Sequence, residues 1–305
     1  MDSPVQPQNC PTRPVPPDLP QVTIIGPGLL GASVGVGLKK AGFAGRIVGF
    51  SRTKATLDGA MEVGAIDEGF TDLGPAVQVD GKCIVVVCVP VGRFGDIFRQ
   101  LAEHQRRGMY VTDVGSTKLS VVADAKRFLK QPQFFVPAHP MAGSEKSGPS
   151  HADPELFVGK PCVMCPDDAT DANALATIRQ MWESLGGVIH LLTADAHDHE
   201  VAAVSHLPHL LSVLLTLTAD DIGPLDLASS GFRDTSRLAL SNPAMRRDII
   251  AANHKPIGEA LDRFASRLNE LRGVVRKAKD EELIALLESA QAKREAWPGS
   301  SKLSE

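Results

Sequence analysis

Val22-Thr23-Ile24-Ile25-Gly26-Pro27-Gly28-Leu29-Leu30-Gly31-Ala32-Ser33 is the stretch that sets the fold. Val22 to Ile25 is a short β-rich run, and from Ala32 to Gly42 small and apolar residues recur with a helical period. Between them stands Gly26-x-Gly28-x-x-Gly31. In a strand, turn, helix context each glycine has a physical task. Gly26 permits the tight turn, Gly28 lets backbone approach a pyrophosphate, and Gly31 lets the helix pack against the strand. The helix N-terminus at Leu29 and Leu30 supplies free amides and a partial positive charge for phosphates. The stretch therefore predicts a dinucleotide-binding domain.

The next strand is Ile47-Val48-Gly49-Phe50, and it runs into Ser51-Arg52-Thr53-Lys54. An NAD site usually carries Asp or Glu at this point to hold the ribose 2′-hydroxyl. Ser51 removes that carboxylate, and Arg52 can grip a 2′-phosphate with a forked pair of bonds. NADP is thus expected in preference to NAD. The alternative is that Arg52 is a solvated loop charge and both cofactors are accepted.

Cys83 to Val89 is a continuous apolar run, as a parallel strand covered on both faces requires, and Pro90 ends it at the cofactor edge. Val89 and Pro90 are candidate cofactor contacts. Residues 93–104 read as a helix and Met109 to Thr112 as a strand. That strand leads into Asp113-Val114-Gly115-Ser116-Thr117-Lys118 and a helix to about Lys130. Ser116 or Thr117 suits a helix N-cap, and a serine at a strand's carboxyl end can also face the crevice. Phe134 to Val136 reads as a further buried strand, followed by a polar, Gly-containing loop with His139. Histidine is the side chain best able to exchange a proton near neutral pH. The alternative role for His139 is a hydrogen bond to loop backbone. Pro161 to Cys165, a helix over about 171–185 and Val188 to Leu191 are expected to extend the same sheet.

After Thr193 the pattern changes. Residues 194–220 read as one long helix, apolar almost all round and so buried on several sides, with a kink at Pro208. Asp198 and Glu200 near its start suit the helix dipole. His197, His199, His206 and His209 lie on it, but one helix cannot gather them around one ion, so no metal is expected. Cys162-Val163-Met164-Cys165 has a ligand-like spacing, yet positions i and i+3 of a strand face opposite ways. Gly231 to Arg237 reads as a polar loop with two arginines, and Asn242-Pro243 opens a helix to about Asn253. Over 256–291, Ile257, Leu261, Phe264, Leu268, Leu271 and Val275 form a helical apolar stripe, a core or subunit interface.

Composition narrows the function classes. The chain has 305 residues, room for roughly two domains of ~150 each. A net charge of −4 and 5% aromatics give neither a basic surface nor a stacking platform for nucleic acid. No apolar run approaches the ~20 residues needed to span a bilayer. Residues 1–20, with prolines at 4, 7, 11, 14, 16, 17 and 20, read as a disordered leader without a signal-peptide core. Five cysteines and no export signal fit a reducing, cytoplasmic setting. The organisation expected is leader 1–20, dinucleotide domain 21–192, helical domain 193–292 and polar tail 293–305.

Several motifs together are distinctive: Gly26 to Ser33, Asp113 to Lys118, His139-Pro140-Met141-Ala142-Gly143-Ser144-Glu145-Lys146-Ser147-Gly148, His197-Asp198 with Ser205-His206-Leu207-Pro208-His209, and Gly231-Phe232-Arg233-Asp234-Thr235-Ser236-Arg237. In this order the chain resembles the prephenate/arogenate dehydrogenase family of tyrosine biosynthesis. The departure is Ser51-Arg52 where NAD-using members carry an acid. The resemblance implies an α/β fold, a doubly wound and mostly parallel Rossmann-type sheet followed by an all-α dimerisation domain, and hence a homodimer. It implies oxidative decarboxylation: a hydride passes from the hydroxyl-bearing ring carbon to NADP or NAD, the ring carboxylate leaves as CO2, and the ring becomes aromatic. By motif, His139 accepts the hydroxyl proton and Ser116 orients the hydroxyl and His139. Arg237 binds a substrate carboxylate, His209 helps hold substrate, and Glu145 shapes or gates the pocket. His206 and His197 stand lower among the substrate contacts. Rival readings are a β-hydroxyacid dehydrogenase or imine reductase of similar plan, and a non-catalytic dinucleotide sensor. The joint presence of His139, His206-Leu207-Pro208-His209 and Arg237 weighs against them.

Overall fold

The computed structural model describes residues 15–16, 19–143 and 146–297. Glu145, most of the proline-rich leader with Cys10, and residues 298–305 lie outside the described residues.

Six strands form one parallel sheet: β1 (Gln21–Ile25), β2 (Arg46–Phe50), β3 (Glu68–Phe70), β4 (Cys83–Val87), β5 (Met109–Asp113) and β6 (Phe135–Val136). Their order is β3-β2-β1-β4-β5-β6, so the winding reverses between β1 and β4. Such a switch opens a crevice at the carboxyl ends of the strands. Alternate residues feed opposite faces, the two-residue period of a strand. Val22, Ile24, Ile84 and Val86 join one core with Trp182, whereas Ile25, Val85 and Val87 join another with Phe94 and Phe98. Helices α1 (Leu29–Lys40), α2 (Lys54–Glu62), α3 (Leu73–Val77), α4 (Phe94–His104), α5 (Leu119–Phe128) and α6 (Ala172–Ser184) cover the sheet, which matches the doubly wound expectation. β3, α2 and α3 occupy a stretch left unassigned from the sequence.

Two expectations about the α/β part are corrected. Residues 161–165 and 188–191 do not extend this sheet. β7 (Ala138–Pro140), β8 (Pro161–Met164) and β9 (Val188–Leu191) make a separate three-stranded sheet, with β7 antiparallel to β8 and β8 parallel to β9. Pro137 separates β6 from β7 and has no N–H for a ladder, so the chain changes sheets there. His139 therefore lies on a strand and not in a loop. The end of the leader is also ordered, because Val15 and Leu19 are buried in the core.

The helical part follows as α7 (Ala194–Val201), a π-helical turn over Ala202–His206, α8 (Leu207–Ile222), α9 (Ser230–Ser236) and α10 (Pro243–Ala252). Pro208 sits in the first turn of α8. The chain accommodates its missing N–H by widening one turn, and Leu207 N–H bonds the Ala202 carbonyl five residues back. The stretch from Gly231 to Arg237 is mostly helix α9, not a loop. The long helix is also far less buried than its composition suggests. Of α8, Ser212 is the buried residue, while Leu214, Leu217 and Ile222 are 51%, 57% and 83% exposed. Counted through its polar residues, Ala194–Ile222 is by length and composition apolar enough to cross a membrane, its most apolar 18-residue window having mean hydropathy 1.6, which corrects the reading from uninterrupted apolar residues. Its first third is nonetheless tied by Asp198 to the backbone of α5.

The described chain divides into two compact units after His254. The first holds both sheets and helices through α10. The second holds most of α11 (His254–Arg276) and α12 (Asp280–Glu295), joined through Ala278 in the left-handed region at φ 46°. The apolar stripe expected here is partly exposed, at Leu268 and Val275, and the region assigned to a polar tail begins as helix, since α12 runs to Glu295.

A buried ion pair joins the two sheets. Lys118 and Asp113 are both fully buried and bonded to each other. Lys118 Nζ also donates to the Ala138 carbonyl (2.8 Å), and Asp113 accepts from Ala138 N–H (3.0 Å) and Gly115 N–H (2.8 Å). The end of β5, the turn after it and β7 are thus stapled by one pair. Removing one partner of a buried pair strands the other charge. Lys118→Met is expected to destabilise the fold by about 3–5 kcal/mol in equilibrium denaturation. A loss under ~1 kcal/mol would show that the pair is dispensable.

Candidate active site

The carboxyl ends of β1, β4 and β5 present the expected cofactor elements. Gly26 has φ +83°, and a Cβ there would lie 2.9 Å from the Cys88 carbonyl and 3.1 Å from Val89. The turn after β1 therefore presses against the residues that precede Pro90. At Gly31 a Cβ would lie 2.6 Å from the Gly26 carbonyl, so any side chain would force the helix away from the strand. At Gly28 a Cβ would meet nothing within 4 Å, and no side chain caps α1. Open backbone followed by uncapped amides at Leu29 and Leu30 is the form a pyrophosphate requires. These residues fit a nicotinamide dinucleotide.

At the end of β2, Ser51 Oγ accepts a hydrogen bond from Thr53 N–H at 3.2 Å. Arg52 and Thr53 are exposed, and α2 starts at Lys54 with no side-chain cap. A guanidinium and a free helix N-terminus thus flank the same strand end.

The histidines meet at the same edge. His139 is buried on β7 and His197 is fully buried on α7. His139 Nδ1 and His197 Nε2 are 2.8 Å apart, and His197 Nδ1 lies 2.8 Å from Asp198 Oδ1. Asp198 Oδ1 also accepts from Lys118 N–H (2.7 Å), and Oδ2 accepts from Leu119 N–H (2.9 Å). A carboxylate that caps a helix is an acceptor, so the proton between Asp198 and His197 sits on Nδ1 of the imidazole. With one proton on each ring, His197 Nε2 is then the acceptor and His139 Nδ1 the donor. Nε2 of His139 is left with its lone pair free, as a base requires.

Electrostatics keep that base uncharged. Burial, then the neighbouring His197, Lys118 and His206, hold the His139 pKa well below the ordinary histidine value. His206 is pushed down to about 4, chiefly by burial. Its Nδ1 accepts from Asn253 Nδ2 (3.0 Å), which places its proton on Nε2. Asn253 Nδ2 also donates to the Asp198 carbonyl (2.8 Å). His209 Nδ1 donates to the Ser205 carbonyl (2.9 Å) within the π turn, and burial lowers its pKa against the pull of that bond. The charges of Arg246 and Arg237 both bear on His209.

The structure therefore couples His139 to His197 and His206, His206 to His197 and His209, and His209 to Arg237. His197 proves more central than its sequence ranking, and it is neither solvated nor loop-bonded. It also supplies the orienting bond to His139 Nδ1 that the sequence reading gave to Ser116. Ser116, after β5, makes no hydrogen bond among the described residues and does not cap α5, whose N-cap is Lys118. Asp198 was missed because helix starts attract acids. It caps α5 and not its own helix, where Thr193 Oγ1 accepts from Ala196 N–H. Asp113, Lys118, Asn253 and Arg246 were missed as well. The signal for the first two was the Asp113 to Lys118 motif itself, of which only the serine received a role.

The other candidate ligands stay apart. Among the described residues no three His, Cys, Asp or Glu side chains gather to hold a metal. Cys165 is buried, with its thiol pushed up to about 12 by burial, and Cys162 is shifted in the same direction.

Comparison with known proteins fits this geometry. Residues 34–191 match the family model described as prephenate dehydrogenase, nucleotide-binding domain, and residues 193–289 match prephenate dehydrogenase, dimerization domain. The chain is 31% identical to a cyclohexadienyl dehydrogenase of Zymomonas mobilis, over 90% of this chain and 94% of that one. It superposes on prephenate dehydrogenase of A. aeolicus, solved with hydroxyphenyl propionate and NAD+, with TM-score 0.85 and 31% identity, covering 91% of this chain and 98% of that one. A Synechocystis arogenate dehydrogenase gives TM-score 0.77 and 31% identity, over 90% and 99% of the two chains. With a strand-borne imidazole at the carboxyl edge of a dinucleotide-binding sheet, and both domain models matched in order, the chain belongs to the prephenate dehydrogenase family.

Proposed function

We propose that the protein oxidatively decarboxylates prephenate, arogenate or both in tyrosine biosynthesis, with His139 as the general base. The observation that carries this reading is the chain Asp198–His197–His139, which leaves His139 Nε2 as an acceptor at the sheet edge. A base must reach the proton it removes, within about 3 Å, and must be unprotonated at working pH. The lowered pKa of His139 meets the second condition.

Each further residue has a place in this reading. The bound dinucleotide, held by Gly26, Gly28, Leu29, Leu30 and Gly31 with Val89 and Pro90 beside the ring, supplies the hydride acceptor. Ser116 hydrogen-bonds the substrate hydroxyl at the end of β5. His206 offers an N–H donor at Nε2. His209 offers an acceptor that becomes a donor when a carboxylate raises its pKa. Arg237 pairs with a substrate carboxylate, and Glu145 shapes the pocket entrance. Asp198 and His197 hold the base in its working tautomer, as second partners do for catalytic imidazoles.

NADP is the preferred cofactor in this reading, although NAD is present in the A. aeolicus structure. Ser51 offers no charge to repel a 2′-phosphate. Arg52 and the uncapped N-terminus of α2 attract it. The exposed apolar residues of α8 support a homodimer through the helical domain. Buried free thiols at Cys83, Cys162 and Cys165 suit a reducing, cytoplasmic setting.

Protein mixed with prephenate or arogenate and NADP or NAD is expected to generate reduced cofactor, read by its absorbance. His139→Asn is expected to lower kcat by ~100-fold or more with cofactor affinity retained. Near-wild-type turnover would exclude His139 as the base. The pH profile of kcat/KM has a definite sign. The working imidazole is neutral and its pKa lies below 6.5, so activity is expected to hold as pH falls through 6.5 and to drop only below it. An acid limb centred above 6.5 would contradict that. Arg52→Ala is expected to weaken NADP by about 10-fold while leaving NAD nearly unchanged. Equal losses in a binding titration would remove Arg52 from the phosphate site.

A further inference from the structure

We propose that Arg246 binds the side-chain carboxylate of the substrate, at the end of the cleft away from His139. The proposal rests on the oxidative decarboxylation just described, and it adds a second guanidinium to Arg237.

Arg246 lies on α10 and is half-buried. Its Nε is sealed from solvent and has no hydrogen-bond partner among the described residues. Buried polar atoms are nearly always satisfied, and a charged one is costly to leave unmade. Its neighbour Arg247 behaves in the ordinary way, with Nε and Nη2 on Asp248 at 3.0 Å and 2.7 Å. Among the described residues no carboxylate pairs with Arg246. Nε with the adjacent Nη forms one of the two flat faces with which a guanidinium takes a carboxylate through two parallel bonds. The unpaired donor is thus one that such a fork uses.

The helix that carries Arg246 is fixed over the site from two sides. After its last turn, Asn253 Nδ2 holds both His206 Nδ1 and the Asp198 carbonyl. Earlier, Asp248 lies so close to Gly92 that a Cβ there would come within 3.2 Å of its carboxylate. Gly92 follows β4 and Pro90, at the cofactor edge. Arg246 is therefore held between the histidine cluster and the nucleotide edge. Its charge bears on His206 and His209, whereas the charges that bear on His139 are those of His197, Lys118 and His206. Arg246 thus bears on His206 and His209 more than on the base.

Substrate chemistry decides which carboxylate it takes. The hydroxyl approached by His139 and the two acidic groups lie at opposite ends of the ring. Of those groups, the ring carboxylate sits directly on the ring carbon, and the side-chain carboxylate reaches further out. A guanidinium that bears on His206 and His209 and not on His139 suits the longer arm. Charge also favours this pairing, because a desolvated cation binds an anion more strongly than a solvated one. Arg237 is exposed by comparison.

The test uses the whole protein with prephenate, and with the substrate analogue 3-(4-hydroxyphenyl)propionate assayed as a competitor, which keeps the side-chain carboxylate and lacks the ring one. Arg246→Gln is expected to raise KM by ~10-fold or more and the inhibitor Ki by the same factor. kcat is expected to change less than about 3-fold, and NADP affinity not at all. Arg246→Lys, which keeps the charge but loses the fork, is expected to fall between the two. If Arg246→Gln loses cofactor binding, Arg246→Lys is judged by the same KM and Ki criteria. Unchanged KM and Ki would overturn the proposal. A raised KM with unchanged Ki would overturn it too, by assigning Arg246 to the ring carboxylate. So would a fall in kcat with KM intact, which would make Arg246 a modulator of the histidines. Each of these outcomes requires an active wild type. A wild type that turns over neither prephenate nor arogenate would instead sink the reaction itself, and the proposal with it.

Discussion

The buried carboxylate of Asp198 is the interaction on which the site depends. It caps α5 through the backbone of Lys118 and Leu119, and it takes the Nδ1 proton of His197. Hydrogen bonds to an ionised acceptor are roughly twice as strong as neutral ones, so three of them on one buried group form a rigid node. The node connects the α/β layer to the first helix of the helical part. It also transmits a chemical instruction, because a carboxylate can only accept. The proton pattern of two imidazoles follows from that restriction, and His139 ends with a free lone pair.

A second buried charge pair does the complementary work from the other side. Asp113 and Lys118 staple β5 and its turn to β7, one residue before His139. Lys118 is thus used twice, with its backbone on Asp198 and its ammonium on Asp113 and Ala138. Its charge, with burial, disfavours a proton on His139. Placing a cation and a cluster of imidazoles in one desolvated region would be unstable without the two carboxylates.

The helical part shows how one proline sets local geometry. Pro208 has no N–H to return, and the chain absorbs the defect in a π turn over Ala202–His206. That turn carries His206, and the Ser205 carbonyl within it accepts from His209 Nδ1. π turns recur at functional sites because they redirect side chains without ending a helix. The same helix continues into α8, whose apolar residues stay exposed in the single chain. Hydrophobicity there reports a surface that needs covering, not a core.

Local pattern determined much of this protein without help. Strand period, the three glycines and the apolar run of β4 specify the parallel sheet, because each depends on residues close in sequence. The roles of the motif histidines and Arg237 were legible only through the family resemblance that their motifs carry. Three things were decided only by tertiary structure. Residues 161–165 and 188–191 pair with β7 and not with the main sheet, since strand pairing is a long-range choice that Pro137 redirects. Asp198 serves a helix 79 residues away in sequence, so its role could not be read from its own helix. The tautomer of His139 and the orphaned Nε of Arg246 emerge only when separate elements are brought into one dry space. A sequence records which groups can donate or accept, whereas the fold fixes which partner each one meets.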